Sequence, residues 1–167
     1  MIVRQHQAAG MRSVVTYSDC GGYRYDLRRE WGAGPRVSFV MLNPSTADEL
    51  RNDPTIARCE RRARVLGFQG LRVANLFGWR ATDPRDMRAQ ADPVGPGNDD
   101  AIMQAAAWAD QVICAWGVHG AHLGRGPQVA AMLRGHGHRL VHLGLTRDGH
   151  PRHPLYVAYA QQPALWR

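Results

Sequence analysis

A chain of 167 residues is long enough for one domain with a buried core. Its 44% hydrophobic and 21% charged residues are ordinary for a globular protein, and no apolar run approaches the roughly 20 residues that span a bilayer. The formal charge is +7 and every Lys+Arg position is arginine, which excludes a lysine Schiff base and a P-loop lysine and suits a polyanionic partner.

The N-terminal stretch 1–10 lacks the apolar segment of a signal peptide. Cys20, Cys59 and Cys114 are odd in number, widely spaced and without a CxxC pair. That pattern predicts reduced thiols, a cytoplasmic location and no cysteine-held zinc or iron–sulfur site. Ser13 to Tyr17 and Tyr23 to Arg29 read as antiparallel strands about a turn at Asp19-Cys20-Gly21-Gly22. After the breaker Gly32-Ala33-Gly34-Pro35, strands and helices alternate.

Val37 to Leu42 is a buried strand by its apolar content. Pro54 to Leu66 is a helix with Asp53 as N-cap, burying Ile56, Cys59, Ala63 and Leu66. Leu71 to Leu76 is the next strand, followed by a proline-punctuated loop from Phe77 to Gly97. Asn98 is expected to cap a helix through Ala109, and Gln111 to Ala115 to form a strand. Pro127 to Arg134 is a helix, Arg139 to Leu145 a strand, and Thr146 to Gly149 a turn. Such alternation predicts a three-layer α/β/α domain with a mainly parallel central sheet and an N-terminal antiparallel extension.

Ligands of open α/β sheets bind outside the carboxyl ends of the strands, and several strand exits here are polar. The first, Leu42-Asn43-Pro44-Ser45, carries an amide and a hydroxyl. Asn43 either positions an attacking water or caps a turn, since an amide cannot act as a general base. Asp48 and Asp53 are candidate carboxylates a short way downstream; Asp53 is more simply a helix cap, while Asp48 is open between roles. Asn75, at the second exit, offers donors and an acceptor in one plane, as a base edge requires.

His153, held between Arg152 and Pro154, is placed to donate to an oxygen that gains charge. Arg80 offers a bidentate fork to phosphate or pairs on the surface. Phe77 and Trp79 are either stacking aromatics or core, and Tyr156 flanks the same region. His136, His138 and His142 read as loop and strand surface, so no metal is expected.

Taken in order, Leu42-Asn43-Pro44-Ser45, Val73-Ala74-Asn75-Leu76-Phe77, Ile113-Cys114-Ala115-Trp116-Gly117 and His153-Pro154 resemble the motifs of the uracil-DNA glycosylase superfamily. Met41 stands where that superfamily has glycine, no aromatic lies near Thr55, and Leu155 replaces a serine. A fuller similarity is to the bacterial and phage family known as domain of unknown function 1643. It is carried by Met41 to Asp48, Asp53-Pro54-Thr55, Asn75-Leu76-Phe77, Arg80 to Pro84 and Gly149 to Tyr156.

The first resemblance implies a uracil-DNA glycosylase-like fold and cofactor-free hydrolysis of an N-glycosidic bond in DNA. In that scheme Asn43, His153 and Asp48 are catalytic, and Asn75, Ser45, Pro44, Phe77, Arg80 and Tyr156 bind the base or its nucleotide. The expected partner is nucleic acid, DNA foremost, or a nucleotide, bound by a monomer away from membranes. Two other readings stay open. One is a binding module without chemistry; the other is a metal-assisted hydrolase acting on nucleotides through Asp48 or Asp53.

Overall fold

The computed structural model describes residues 1–167, and its centre is one eight-stranded sheet. Strands β1 (Ile2–Ala8), β2 (Met11–Tyr17) and β3 (Arg24–Glu30) come first, followed by β4 (Arg36–Met41) and helix α1 (Pro54–Val65). Then come β5 (Gly70–Asn75), α2 (Pro84–Arg88), α3 (Asn98–Trp108), β6 (Gln111–Cys114), α4 (Arg125–Gly135), β7 (Leu140–His142) and β8 (Ala164–Leu165). The order across the sheet is β1-β2-β3-β5-β4-β6-β7-β8.

This order corrects the expected three-layer, mainly parallel sheet. Only β5–β4, β4–β6 and β6–β7 pair parallel; β1–β2, β2–β3, β3–β5 and β7–β8 are antiparallel. The sheet is therefore mixed, and its N-terminal half is antiparallel. The physical reason is that β3 docks in the middle, with Leu27 opposite Val73 and Glu30 opposite Gly70. Helices cover the parallel strands, while β1 is exposed along its whole length.

Period-two alternation sorts the core. Val37, Phe39 and Met41 of β4 pack with Ile56, Cys59 and Ala63 of α1. Val40 and Leu42 turn the other way, toward Ile102 and Ala105 of α3 and Val129 and Leu133 of α4. Val37, Phe39, Leu71, Val73 and Ile113 are fully buried, so the parallel strands read as continuous apolar runs.

Helix α1 begins as its sequence predicts: the Asp53 carboxylate accepts from the Ile56 N–H at 2.8 Å, and Pro54 occupies the first turn. Asn98 departs from expectation. Gly97 occupies the cap position of α3, and the buried Asn98 amide instead donates to the carbonyls of Asn75 (2.8 Å) and Leu76 (3.0 Å). Arg125 adds a 2.8 Å bond to the Leu76 carbonyl, so the carboxyl end of β5 is tied from two helices. No helix is long and apolar enough to cross a membrane.

Candidate functional site

Carboxyl ends of β4 and β5, the start of β3, the first turn of α1 and the segment before Pro154 meet at one small pocket. It is lined by Asn43, Ser45, Asn75 and His153, by Arg24, Asp53 and Thr55, and by only two apolar side chains, Met41 and Ile56. Its volume is about 30 Å³, room for about two water-sized groups. A larger, open cleft of about 510 Å³ runs beside Arg152 and Tyr156. That cleft lacks the convergent polar groups that line the smaller one.

Asn75 ends β5 almost fully buried, 2% exposed, and neither end of its amide has a partner within the protein. Its backbone is fixed instead, through the Asn98 bond to its carbonyl. Asn43 has the opposite arrangement. Its Nδ2 donates to the carbonyls of Ala81 (2.8 Å) and Pro44 (3.2 Å), which assigns the amide and leaves Oδ1 as an open acceptor. The same loops are joined by the Ala81 N–H to the Pro44 carbonyl at 2.9 Å and by the Ser45 and Thr82 hydroxyls at 3.2 Å.

His153 precedes a short 3-10 turn, Pro154–Tyr156, and its Nδ1 accepts from the Leu155 N–H at 3.3 Å. A neutral ring then carries its proton on Nε2. Burial pushes the imidazole down to about 4, with the Asp53 carboxylate opposing part of that shift. Because the folded value lies below the unfolded one, the unfolded chain takes up a proton first as pH falls. Folding free energy is thus expected to drop between pH values near the ordinary imidazole range and about 4. Denaturant titrations across that window should show a shallower loss in His153→Asn; an identical slope removes His153 as the cause.

Helix α1 also holds the segment after His153. Arg58 donates to the carbonyls of Pro154 (3.3 Å) and Val157 (2.6 Å), and Arg62 to those of Val157, Ala158 and Gln161. Gly117, at φ +71, allows close approach on the other side: its N–H donates to the Pro151 carbonyl at 2.7 Å, beside His153.

The remaining predicted residues are not gathered here. Asp48 lies outside the pocket, and its Oδ1 accepts from the N–H groups of Leu50 and Arg51, both at 2.8 Å. Slight burial raises its pKa, but those two bonds and the Arg51 and Arg29 charges outweigh it and hold the carboxyl low. Such a carboxylate serves its own turn. Phe77 is fully buried in the core with α3 and α4. Pro44 is buried under the loop. Arg80 is exposed, lies 5.0 Å from the Tyr17 ring centroid and donates to the Gly21 carbonyl. Tyr156 is 78% exposed, with its ring 6.2 Å from that of His153.

Sequence reasoning missed Arg24. It stands in β3 as a charge in an alternating strand, the pattern of a solvent-facing position, yet it is 2% exposed and lines the pocket. Desolvation lowers its pKa to about 10, opposed by the Asp53 carboxylate, so it stays charged at neutral pH. Both oxygens of Asp53 already accept backbone N–H groups, from Ile56 and from Ala47.

No curated protein and no solved structure matches the chain. Residues 24–155 match the family described as Protein of unknown function (DUF1643), and the chain belongs to that family.

Proposed function

We propose that this protein recognises a nucleobase and hydrolyses the N-glycosidic bond of a damaged or modified base in DNA. The observation that carries the reading is Asn75: an amide that opens onto the pocket and makes no hydrogen bond within the protein, in one pocket with Asn43 and His153. It leaves a donor and an acceptor in one plane for the edge of a base to pair with. Further support comes from the resemblance of the segments bearing Asn43, Asn75 and His153 to motifs of the uracil-DNA glycosylase superfamily.

In this scheme a base is turned out of the helix with its polar edge in the pocket and its body outside, against the exposed ring of Tyr156. Asn43 Oδ1 accepts from a water and orients it toward C1′ of the sugar. The C1′–N bond breaks with its electron pair going to the base, and the water oxygen bonds to C1′ and loses a proton to solvent. His153 Nε2–H donates to the base oxygen on which charge builds. Without lysine the chain has no side-chain amine for imine chemistry, so strand cleavage is not part of the reaction. The +7 charge supplies non-specific attraction to the backbone, which weakens with salt.

The test is release of free base from single- and double-stranded DNA carrying uracil, hypoxanthine or xanthine, at low salt. Wild type is expected to release at least one of them, and Asn43→Ala to abolish release while keeping DNA binding. Asn75→Ala is expected to weaken binding of the flipped base by about 10- to 100-fold, the loss of one or two buried hydrogen bonds. Binding without any release would identify a reader of bases instead of a hydrolase. Neither binding nor release on any of these substrates would overturn the proposal.

A further inference from the structure

We infer that the pocket is a seat for an anionic oxygen group of the ligand, a carboxylate or phosphoryl group, with Arg24 as its counter-charge. The buried arginines differ in how fully they are bonded. Arg29 donates to the Asp48 and Arg51 carbonyls and to Asn52 Oδ1. Arg62 donates to three carbonyls, and Arg125 pairs with Asp99 while bonding the Leu76 carbonyl. Arg24 is the most sparsely bonded of them. It makes a single hydrogen bond, from Nη1 to the Ala47 carbonyl at 2.8 Å; its Nε is buried without a partner, as is one nitrogen each of Arg29 and Arg62, and like those two it joins no ion pair.

One neutral carbonyl, with the Asp53 carboxylate nearby but not in an ion pair with it, leaves part of the guanidinium's desolvation unmet. An anion entering the pocket would use the idle donors, and a guanidinium binds carboxylate or phosphoryl oxygens two at a time. Other groups around the cavity add to the same sign. The first-turn N–H of Thr55 faces no helical acceptor, and α1 presents the positive end of its dipole there. Asn75 Nδ2 and His153 Nε2–H are free donors. Arg80 lies near enough for its charge to act on Arg24. Against these, the Asp53 carboxylate is capped by two N–H groups. A volume of about 30 Å³ admits the two oxygens of such a group and not the whole of a base.

The inference does not rest on the glycosidase reading. Thermal melts of the full chain, at ionic strength held constant with sodium chloride, would be followed with added inorganic phosphate or formate. Wild type is expected to gain stability saturably with at least one of them, and the larger gain separates a phosphoryl from a carboxylate ligand. Arg24→Gln keeps a donor for Ala47 and is expected to bind the anion at least ten-fold more weakly; Arg80→Gln changes the affinity by less than three-fold. No saturable response in wild type, or an unchanged response in R24Q, overturns the seat. Should R24Q not fold, a crystal structure of wild type with phosphate or formate decides. Anion density within hydrogen-bonding distance of the Arg24 guanidinium is required, and its absence overturns the inference. Anion binding through Arg24 without base release keeps this inference and removes the hydrolase; base release without an anion response does the reverse.

Discussion

His153→Ala is expected to lower the rate of base release by roughly 10²- to 10³-fold, the usual cost of removing one donor from a developing oxyanion. Binding of DNA should change little, because the side chain contributes one donor to a contact dominated by backbone charge. Burial keeps the imidazole neutral down to about 4, so activity should not require an imidazolium. Wild-type release should therefore stay level through the ordinary titration range of histidine instead of rising on its acidic side. His153→Gln, which keeps an N–H donor, should recover part of the loss. A rate that tracks protonation across that range, or one indifferent to the substitution, would remove His153 from the chemistry.

Trp116→Ala is expected to cost about 3–5 kcal/mol of folding stability, which in a domain of this size lowers the melting temperature by roughly 10 °C. Trp116 follows β6, is 2% exposed and packs edge-on against Trp166 with ring centroids 5.5 Å apart. Two glycines fit around it: a Cβ on Gly126 would lie 2.8 Å from its indole nitrogen, and one on Gly120 would overlap the ring. The next residue, Gly117, is the one that bonds Pro151 beside His153. Loss of the indole should thus loosen the support of the histidine as well as the core. Urea denaturation followed by circular dichroism measures the first effect; a change below about 1 kcal/mol would show that the neighbouring segments close over the gap.

How much of this could be read beforehand depends on what each segment touches. β4, β5 and β6 are buried on both faces and so appear as short apolar runs, found to within about a residue at each end. Helix α1 was legible from Asp53-Pro54 and its apolar stripe. β1 was not: all seven of its residues are exposed, so no apolar face betrays it, and only the positive φ of Ala9 and Gly10 makes its hairpin. Strand direction was also hidden, because alternation along one strand says nothing about which neighbour it will pair with. β3 belongs by sequence to the N-terminal hairpin, yet it also pairs antiparallel with β5, and this makes the sheet mixed.

The site divides in the same manner. Asn43, Ser45, Asn75 and His153 sit at polar exits from apolar strands or beside a proline, and the structure brings all four into one pocket. Asp48 looked equally available, but its carboxylate is taken up by the N–H groups two and three residues on. Phe77 follows Asn75 by only two residues and is drawn into the core. Arg24 carries a charge in a strand and was invisible for that reason.

The way α1 is fastened decides how the pocket can widen. Its first turn supplies Asp53, Thr55 and Ile56 as one wall, while Arg58 and Arg62 grip the chain just after His153. Two walls are therefore bolted to a single strut and travel together. The opposite wall, Asn43 to Ser45, is latched to Ala81 and Thr82 by a few hydrogen bonds, one of them between exposed hydroxyls. A change in α1 therefore reaches two sides of the pocket at once, whereas the loop after β4 is fastened separately.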